Sequence, residues 1–600
     1  MMLTLDQLIE ALHAHPALIS LATAVLGFVY LLLRGHQLNS DARLGEELRP
    51  KIRALRQLPC PPSTLPILRN TLDMAVRQRE RLYDWFLEQC ELHKGPWRLQ
   101  VLGRPPVIVI ASPELFEDVM KTQFELFPRG ENECEILRDY FGEGVFTVNG
   151  DAWHRHRSTT AQLFALPAMK SAMYSVLCEK IRVLCHVVGV YASRDEEFSL
   201  KAVLSHFTAD VFTKMALGVE RNNLENGLKS YNDDFIESSR TISYAMQLRF
   251  HQPMWLWKLQ RKHDWGIEKR FKECIKFTDF LIYNLINESI AKKNLAPKQS
   301  QHSKQRAANE ASSTSSTMSS VGSSTRSSSC SSIASTEEAK LPASVPAPRD
   351  LISIFLEHNL LTDSLEVDAQ VIRDTVINFI SPGTDTTSHC MSFFILMMNR
   401  YPKVLRKIQG ELQTKLPQLF YGNNNNGAST EPSNLSAEDL SKLVYLDAAI
   451  HESLRLNPQY AVTAREANAD TVLSDGTFVP KGTRVVMAFY AAMRQRSVWG
   501  EDAMRFKPER WIDLQTGRLI TVSPFKFSAF FAGPRKCLGM KFALLEVKMT
   551  MAVLLSKFQI KTTENPWFLT YQVGLAVSVK GPVTVRATPF KKTSVAVSGI

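Results

Sequence analysis

Phe530-Phe531-Ala532-Gly533-Pro534-Arg535-Lys536-Cys537-Leu538-Gly539 is the stretch around which the rest of the chain is organised. It is a loop bounded by glycine and proline, it carries one cysteine, and the run Met540 to Leu555 after it has helical spacing. Glycines let a backbone turn closely around a sulfur. Amides at the start of a helix, together with its dipole, stabilise negative charge nearby. These properties suit a thiolate held as a metal ligand. One cysteine read alone is more readily a buried, inert thiol, so the reading depends on what the rest of the chain supplies.

With 600 residues the chain exceeds ordinary single-domain size, which points to one large core with appendages or to several domains. Its hydrophobic fraction of 44% is that of a globular protein. Nine cysteines, an odd number with no C-x-x-C pair, argue against a disulfide framework or zinc ribbon and for a reducing compartment. The net charge of +11 is spread along the chain and no nucleic-acid fold signature accompanies it, so nucleic acid is not an expected partner.

Ala11 to Leu33 contains no Asp, Glu, Lys or Arg. As a helix it would span about 35 Å, enough to cross a bilayer. Arg34, Arg43, Arg49, Lys51, Arg53 and Arg56 follow it, which puts the body of the chain in the cytosol by the positive-inside rule. Residues 11–33 are expected to be a transmembrane signal anchor and 34–57 a basic linker. The proline-dense segment Leu58 to Asn70 is an extended connector to a body covering residues 58–590. Two stretches interrupt that body. One spans 298–349, in which 18 of the 25 residues from Ser312 to Thr336 are serine or threonine; the other is the asparagine-rich 422–432. The first cannot bury enough apolar area to fold.

Within the body, Tyr83 to His93 has helical spacing, and Trp97 to Ala111 reads as two strands around Gly103-Arg104-Pro105-Pro106. Ser112 and Pro113 are a cap and first position for another helix. Trp153 and Arg157 stand one helical turn apart, placing an indole and a guanidinium on one face. Helical patterns run over Ala168 to Val190, Lys201 to Leu217 and Asp264 to Lys293, with an aromatic and methionine-rich segment, Phe235 to Leu259, before the last. Ser474 to Thr477 supplies a hairpin turn, and Tyr571 to Val579 a late strand pair.

Ala369 to Met398 reads as a long apolar helix interrupted by Ser381-Pro382-Gly383-Thr384-Asp385-Thr386-Thr387. Proline removes an amide donor and glycine is flexible, so a kink with room beside Thr386 is expected. A polar Asp-Thr-Thr cluster inside an apolar helix is costly unless satisfied or functional. His451-Glu452-Ser453-Leu454-Arg455 fails as a zinc motif because Arg455 replaces the second histidine. Glu452 and Arg455 instead share a helix face and can pair bidentately.

These motifs, in this order, resemble the cytochrome P450 family. Phe530, Gly533, Arg535, Cys537 and Gly539 meet its F-x-x-G-x-R-x-C-x-G loop, and Trp153 and Arg157 its W-x-x-x-R. Gly383, Asp385, Thr386 and Thr387 meet its A/G-G-x-D/E-T-T/S, with Pro382 where a small residue is usual. Glu452 and Arg455 meet its E-x-x-R, and Pro508 to Trp511 its P-E-R-F/W. The resemblance implies a mainly α fold with small β-sheets (α+β) behind an N-terminal transmembrane anchor helix. It implies haem b (iron protoporphyrin IX), with Cys537 as the axial thiolate and metal ligand, pushing electron density toward the iron. Arg535, Trp153, Arg157 and Arg465 would hold the propionates, with Phe530 packed near the thiolate. Thr386 and Asp385 would be the catalytic hydrogen-bond donor and proton relay. Glu452, Arg455 and Arg510 would form a buried charged network, and Pro382, Gly383, Tyr460 and Ala461 would line the substrate pocket.

The implied reaction is monooxygenation: one atom of O2 enters a lipophilic substrate. No flavin or nicotinamide domain is read in the chain, so electrons are expected from NADPH–cytochrome P450 reductase, at the endoplasmic reticulum membrane. The fatty-acid and alkane hydroxylases of the family are the most similar group, which implies ω or near-terminal hydroxylation. Sterol or xenobiotic oxidation is the alternative, and a non-catalytic haem-binding sensor the alternative of another class.

Overall fold

The computed structural model describes residues 48–102, 104–227, 234–252, 254–295, 351–352, 354, 369–420 and 435–590. The segment 11–33, the serine-rich stretch 298–349 and the asparagine-rich loop 422–432 lie outside the described residues. Among the described residues, no helix is long and apolar enough to cross a membrane.

Local sequence logic sets the first elements. Leu82–His93 is a helix, followed by an antiparallel hairpin of Trp97–Leu99 and Val107–Ile110, in which Trp97 faces Val109. Ser112 Oγ accepts from the Leu115 amide at 3.3 Å and starts the helix Pro113–Glu117. The hairpin then grows by long-range pairing. Val107–Ile110 pairs parallel with Arg484–Met487, which pairs antiparallel with Thr463–Glu466. A second sheet joins Glu197–Ser199, Thr584–Pro589 and Phe558–Thr562. Tyr571–Gln572 and Ser578–Val579 make a short ladder. Everything else of size is helical, so the fold is mostly α with small sheets.

Two helices form the axis of the core. Leu200–Leu217 is buried nearly all round, as a helix surrounded by others must be. It packs along Ala369–Arg400, a 32-residue helix about 48 Å long. The sequence predicts a kink at Pro382, and the helix runs unbroken through that residue. Proline cannot donate to the Asn378 carbonyl, but packing and local hydroxyls sustain the helix. Thr384 Oγ1 donates to the Ile380 carbonyl at 2.9 Å and Thr386 Oγ1 to the Pro382 carbonyl at 2.6 Å. Gly383 is needed for a reason other than flexibility: a Cβ there would lie 2.2 Å from the Phe212 ring of the neighbouring helix.

The helix Met540–Lys557, which follows the cysteine loop, is buried from Glu546 to Ser556. Glu546 sits inside it with neither carboxyl oxygen hydrogen-bonded, and burial pushes its pKa well above the ordinary carboxylate range.

Candidate active site

The cysteine loop closes on itself, because the Cys537 amide donates to the Phe530 carbonyl at 2.9 Å. Gly533 has φ +65°, and a Cβ there would lie 1.9 Å from the Met120 carbonyl, so glycine is required by both conformation and space. Gly539 precedes the helix Met540–Lys557, and the amides of Gly539 and Met540 donate to the Cys537 sulfur. Burial raises the thiol's pKa, while those amides, Arg157 and Lys536 oppose the rise. The sulfur is enclosed by protein, yet the residue is exposed to the space beside it. That space is an internal cavity of about 1390 Å³, and Cys537 is the cysteine that lines it among the described residues.

Phe530 contributes its carbonyl to the loop and packs its ring against the core, and Phe531 is the neighbouring ring that lines the cavity. Phe531 has φ +58°, rare for an aromatic residue, and this turns the chain so that position 531 faces inward. Its ring meets Tyr460 at 5.4 Å and Phe489 at 5.3 Å. Tyr460 and Ala461 line the cavity just before the strand Thr463–Glu466, and Pro382 and Gly383 line it from the long helix.

One wall gathers four guanidinium groups from four separate segments: Arg129, Arg157, Arg465 and Arg535. Arg157 donates to the Lys536 carbonyl. Arg465 donates to the Ala464 carbonyl at 2.6 Å. Arg535 donates to Asn149 Oδ1 at 2.9 Å and the Val148 carbonyl at 3.2 Å, with its guanidinium 4.5 Å from the Trp153 ring centre. Trp153 itself is buried. Burial, followed by the charge of Arg129, pulls Arg465 down to about 10. Burial, then Arg465 and Arg129, pulls Arg535 down as well. The Nε atoms of Arg129 and Arg535 are buried without a partner. A guanidinium keeps its proton, so this wall calls for a ligand carrying more than one negative charge. Arg129 and Asn149 are additions to the sequence-predicted set, and only a proline–arginine–glycine loop hints at the first.

The position of Asn149 traces back to the G-x-G at Gly142 to Gly144. Gly142 has φ +60°, and a Cβ there would fall 2.1 Å from Asp374. The Glu143 amide donates to Asp374 Oδ2 at 2.9 Å, and Asn378 donates to the Phe141 carbonyl at 2.8 Å. The turn therefore docks on the long helix and sets the segment that carries Asn149 into the helix Gly150–Ala165.

Facing the cysteine loop, the long helix presents Thr386, Asp385 and His389 to the cavity. Burial raises the Asp385 carboxyl, opposed by a hydrogen bond from Ser243 Oγ at 3.4 Å and by the charges of Arg240 and Lys201. Burial, then Lys201 and Arg240, holds the His389 imidazole down to about 3, so it is neutral. Lys201 Nζ donates to Ser578 Oγ and to the Val579 carbonyl, both at 3.1 Å, which ties the late strand pair to the cavity roof. Lys201, Arg240, Ser243 and His389 carry no sequence spacing signal and went unread there.

Behind the loop lies the charged network. Glu452 and Arg455, both fully buried, pair through two bonds of 2.8 Å. Arg510 Nε lies 3.4 Å from Glu452 Oε1, and the Trp511 indole donates to Oε2 at 2.9 Å. Trp511 then meets Phe527 at 4.7 Å, next to the Ser528–Phe530 turn that enters the cysteine loop.

Among the described residues, no group of three or more His, Cys, Asp or Glu could hold a metal ion. A metal at Cys537 must then bring its other ligands with it. A cavity above the usual 300–1,000 Å³ of ligand pockets has room for a large prosthetic group and a substrate together. Its single thiolate and its wall of unpaired cations fit a planar metal chelate bearing two carboxylates. The comparisons with known proteins agree. The sequence profile described as Cytochrome P450 matches residues 59–582. Cytochrome P450 86B1 of Arabidopsis thaliana is 29% identical over 508 residues, covering 83% of this chain and 81% of its own length. Alkane hydroxylase MAH1 of the same plant is 27% identical over 521 residues, covering 84% and 90%. Cytochrome P450 monooxygenase cyp1 of Mycosarcoma maydis is 26% identical over 559 residues, covering 92% and 76%. The thiolate loop, the cationic wall and the family match across most of the chain lead to one assignment: this protein belongs to the cytochrome P450 family.

Proposed function

We propose that this chain hydroxylates medium- to long-chain fatty acids at or near the methyl end. As a family member it is a monooxygenase that contains haem b with an axial cysteine thiolate and uses dioxygen and NADPH-derived electrons. The haem supplies oxygen activation and the transfer of one oxygen atom to a C–H bond, with the other leaving as water. We assign Cys537 as the thiolate, with the Gly539 and Met540 amides moderating its charge. Arg129, Arg157, Arg465 and Arg535, with Trp153, hold the two propionates. Asp385 takes a proton from the polar group around Ser243 and passes it toward the Thr386 hydroxyl, which faces the cavity.

The observation that carries the substrate class is the cavity itself. Apolar walls including Leu82, Phe86, Leu99, Phe141 and Phe212 belong to the same space as Thr386 and Cys537, which suits an extended alkyl chain. The relative whose name is alkane hydroxylase supports the same reading. The test is incubation of the full chain with its reductase, NADPH and a chain-length series of labelled acids. Terminally hydroxylated acid is the expected product. Turnover of a sterol or xenobiotic with no acid product at any length would overturn the reading.

The apolar run Ala11 to Leu33 and the basic residues after it support a single-pass anchor in the endoplasmic reticulum membrane, with the catalytic body on the cytosolic side. Lys541 and Arg155, both exposed, support reductase docking beside the cysteine loop.

A further inference from the structure

Three tyrosines meet beside the cavity. Tyr83, in the helix Leu82–His93, stacks on Tyr571 with 5.3 Å between ring centres and tilts against Tyr490 at 5.7 Å; Tyr490 lies 5.6 Å from Tyr571. All three are buried, and Tyr83 lines the cavity that Cys537 also lines. Two of the hydroxyls end on one carboxylate: Tyr490 donates to Asp84 Oδ1 at 2.7 Å and Tyr571 to Asp84 Oδ2 at 3.0 Å. The Arg494 guanidinium lies 3.5 Å from the Tyr490 ring centre, and its Nη1 is buried without a partner. Burial raises all three phenols, Tyr83 to about 12, so each keeps its proton at neutral pH.

These bonds fasten the late strand Tyr571–Gln572 to the helix Leu82–His93, but fastening needs no phenols. Phenylalanines would stack in the same way, without two hydroxyls and a carboxylate to bring out of water. What a phenol adds is redox chemistry. Tyrosine gives up an electron readily only when its hydroxyl proton leaves with it, which needs a base within about 2.6–3.2 Å. Asp84 stands within that reach of two hydroxyls. The cluster also continues outward. The Tyr490 and Tyr401 phenols both lie near enough to Arg400 to act on its charge. The Arg400 guanidinium is 5.3 Å from the Trp567 ring centre, and Tyr401 meets the same ring at 5.5 Å. Trp567 is 58% exposed, so oxidisable rings run from the cavity wall to solvent.

We propose that Tyr83, Tyr490 and Tyr571 form a redox relay that drains oxidising equivalents from the active site when no substrate takes them. Tyr571 or Tyr490 gives one electron, through the Tyr83 ring, to the oxidised prosthetic group. The phenolic proton crosses to the Asp84 carboxylate, and a neutral tyrosyl radical remains. The vacancy passes outward beside Arg400 to Trp567, where a small thiol in solvent returns the electron and Asp84 returns the proton. The thiol loses its own proton to water, and two thiyl radicals couple as a disulfide. With hydrogen peroxide as the oxidant, two such passes convert one peroxide and two thiols into one disulfide and two waters. This second activity is independent of which substrate the enzyme hydroxylates.

The test mixes the haem-loaded full chain, without substrate, with hydrogen peroxide and freezes it for electron paramagnetic resonance. Wild type, the double variant Tyr490→Phe/Tyr571→Phe and Trp567→Phe are compared. The double variant keeps every ring, and its carbon monoxide spectrum reports that thiolate ligation is intact. The expected result is a tyrosyl signal in wild type and its loss in the double variant, together with faster bleaching of the haem by peroxide. In Trp567→Phe the tyrosyl signal is expected to persist longer after a thiol is added; decay as fast as in wild type overturns the exit through that ring. A tyrosyl signal and a bleaching rate equal in wild type and the double variant overturn the relay. Should the double variant fail to fold, spin-trap adducts mapped by mass spectrometry on peroxide-treated wild type decide. Adducts on Tyr83, Tyr490, Tyr571 or Trp567 support the relay, and adducts confined to other residues, or none, overturn it.

Discussion

Glu452 is the most heavily used acceptor near the cysteine loop, receiving bonds from Arg455, Arg510, the Trp511 indole and the Lys507 amide. Such a network contributes little net stability compared with an apolar substitute, but removing one charge leaves the other stranded. Glu452→Gln strands Arg455 in the core and turns an amide donor toward groups that themselves donate. A loss of about 3–5 kcal/mol is expected, read by denaturant unfolding alongside the thiolate-specific carbon monoxide band; an unchanged midpoint would show that the network is ornamental. At this scale the sequence was most legible where partners are close in the chain. Glu452 and Arg455 are three residues apart, and Arg535 and Cys537 two. Arg129 was not legible, because its partners at Asn149, Arg465 and Arg535 reach it only through folding. Phe531 was missed because the spacing of the loop marks Phe530, while the positive φ that turns Phe531 inward is a backbone fact without a letter of its own.

At the scale of elements, the helix Met540–Lys557 carries a carboxyl group in its interior. Glu546 is easier to keep protonated than to ionise, since burial raises its pKa without any compensating bond. The unfolded chain ionises it at ordinary carboxylate pH, so the native state gains from it only below that range. Its contribution is lost as pH rises toward the elevated folded value, at up to about 1.4 kcal/mol per pH unit. Glu546→Gln abolishes this slope. The variant and wild type should match near pH 4 and diverge in the variant's favour toward neutrality, in unfolding midpoints followed across pH. Parallel curves would mean that the carboxyl is already hydrogen-bonded to water. The long helix Ala369–Arg400 shows the limit of local rules. Pro382 announces a kink, and the helix stays unbroken through it, with Phe212 seated on Gly383 and the two threonine hydroxyls bonded back to carbonyls four residues earlier. Hairpins, caps and helix extents, this helix's included, were readable because short-range chemistry decides them; its continuity through Pro382 was not, because packing by Phe212 from another helix contributes to it.

For the whole molecule, the formal charge of +11 bears on how electrons arrive. A reductase with an acidic face would be steered by that field, and steering weakens as salt shortens its range from about 30 Å at 0.01 M to about 10 Å at 0.1 M. Reductase-supported turnover should fall over that interval, while turnover driven by added peroxide, which needs no encounter, should stay level. Equal salt sensitivity of both would place the effect in the active site instead. The cationic wall has a different consequence, for biogenesis. Its four arginines come from a loop, a helix, a strand and a second loop, brought together against their mutual repulsion. In a newly made chain these segments have reason to stay apart until a dianion arrives between them. Haem, by supplying that dianion, would then favour closure as well as activity. Chains made without haem are expected to be cleaved more readily between the small sheet and the cysteine loop than haem-loaded ones, as limited proteolysis would read.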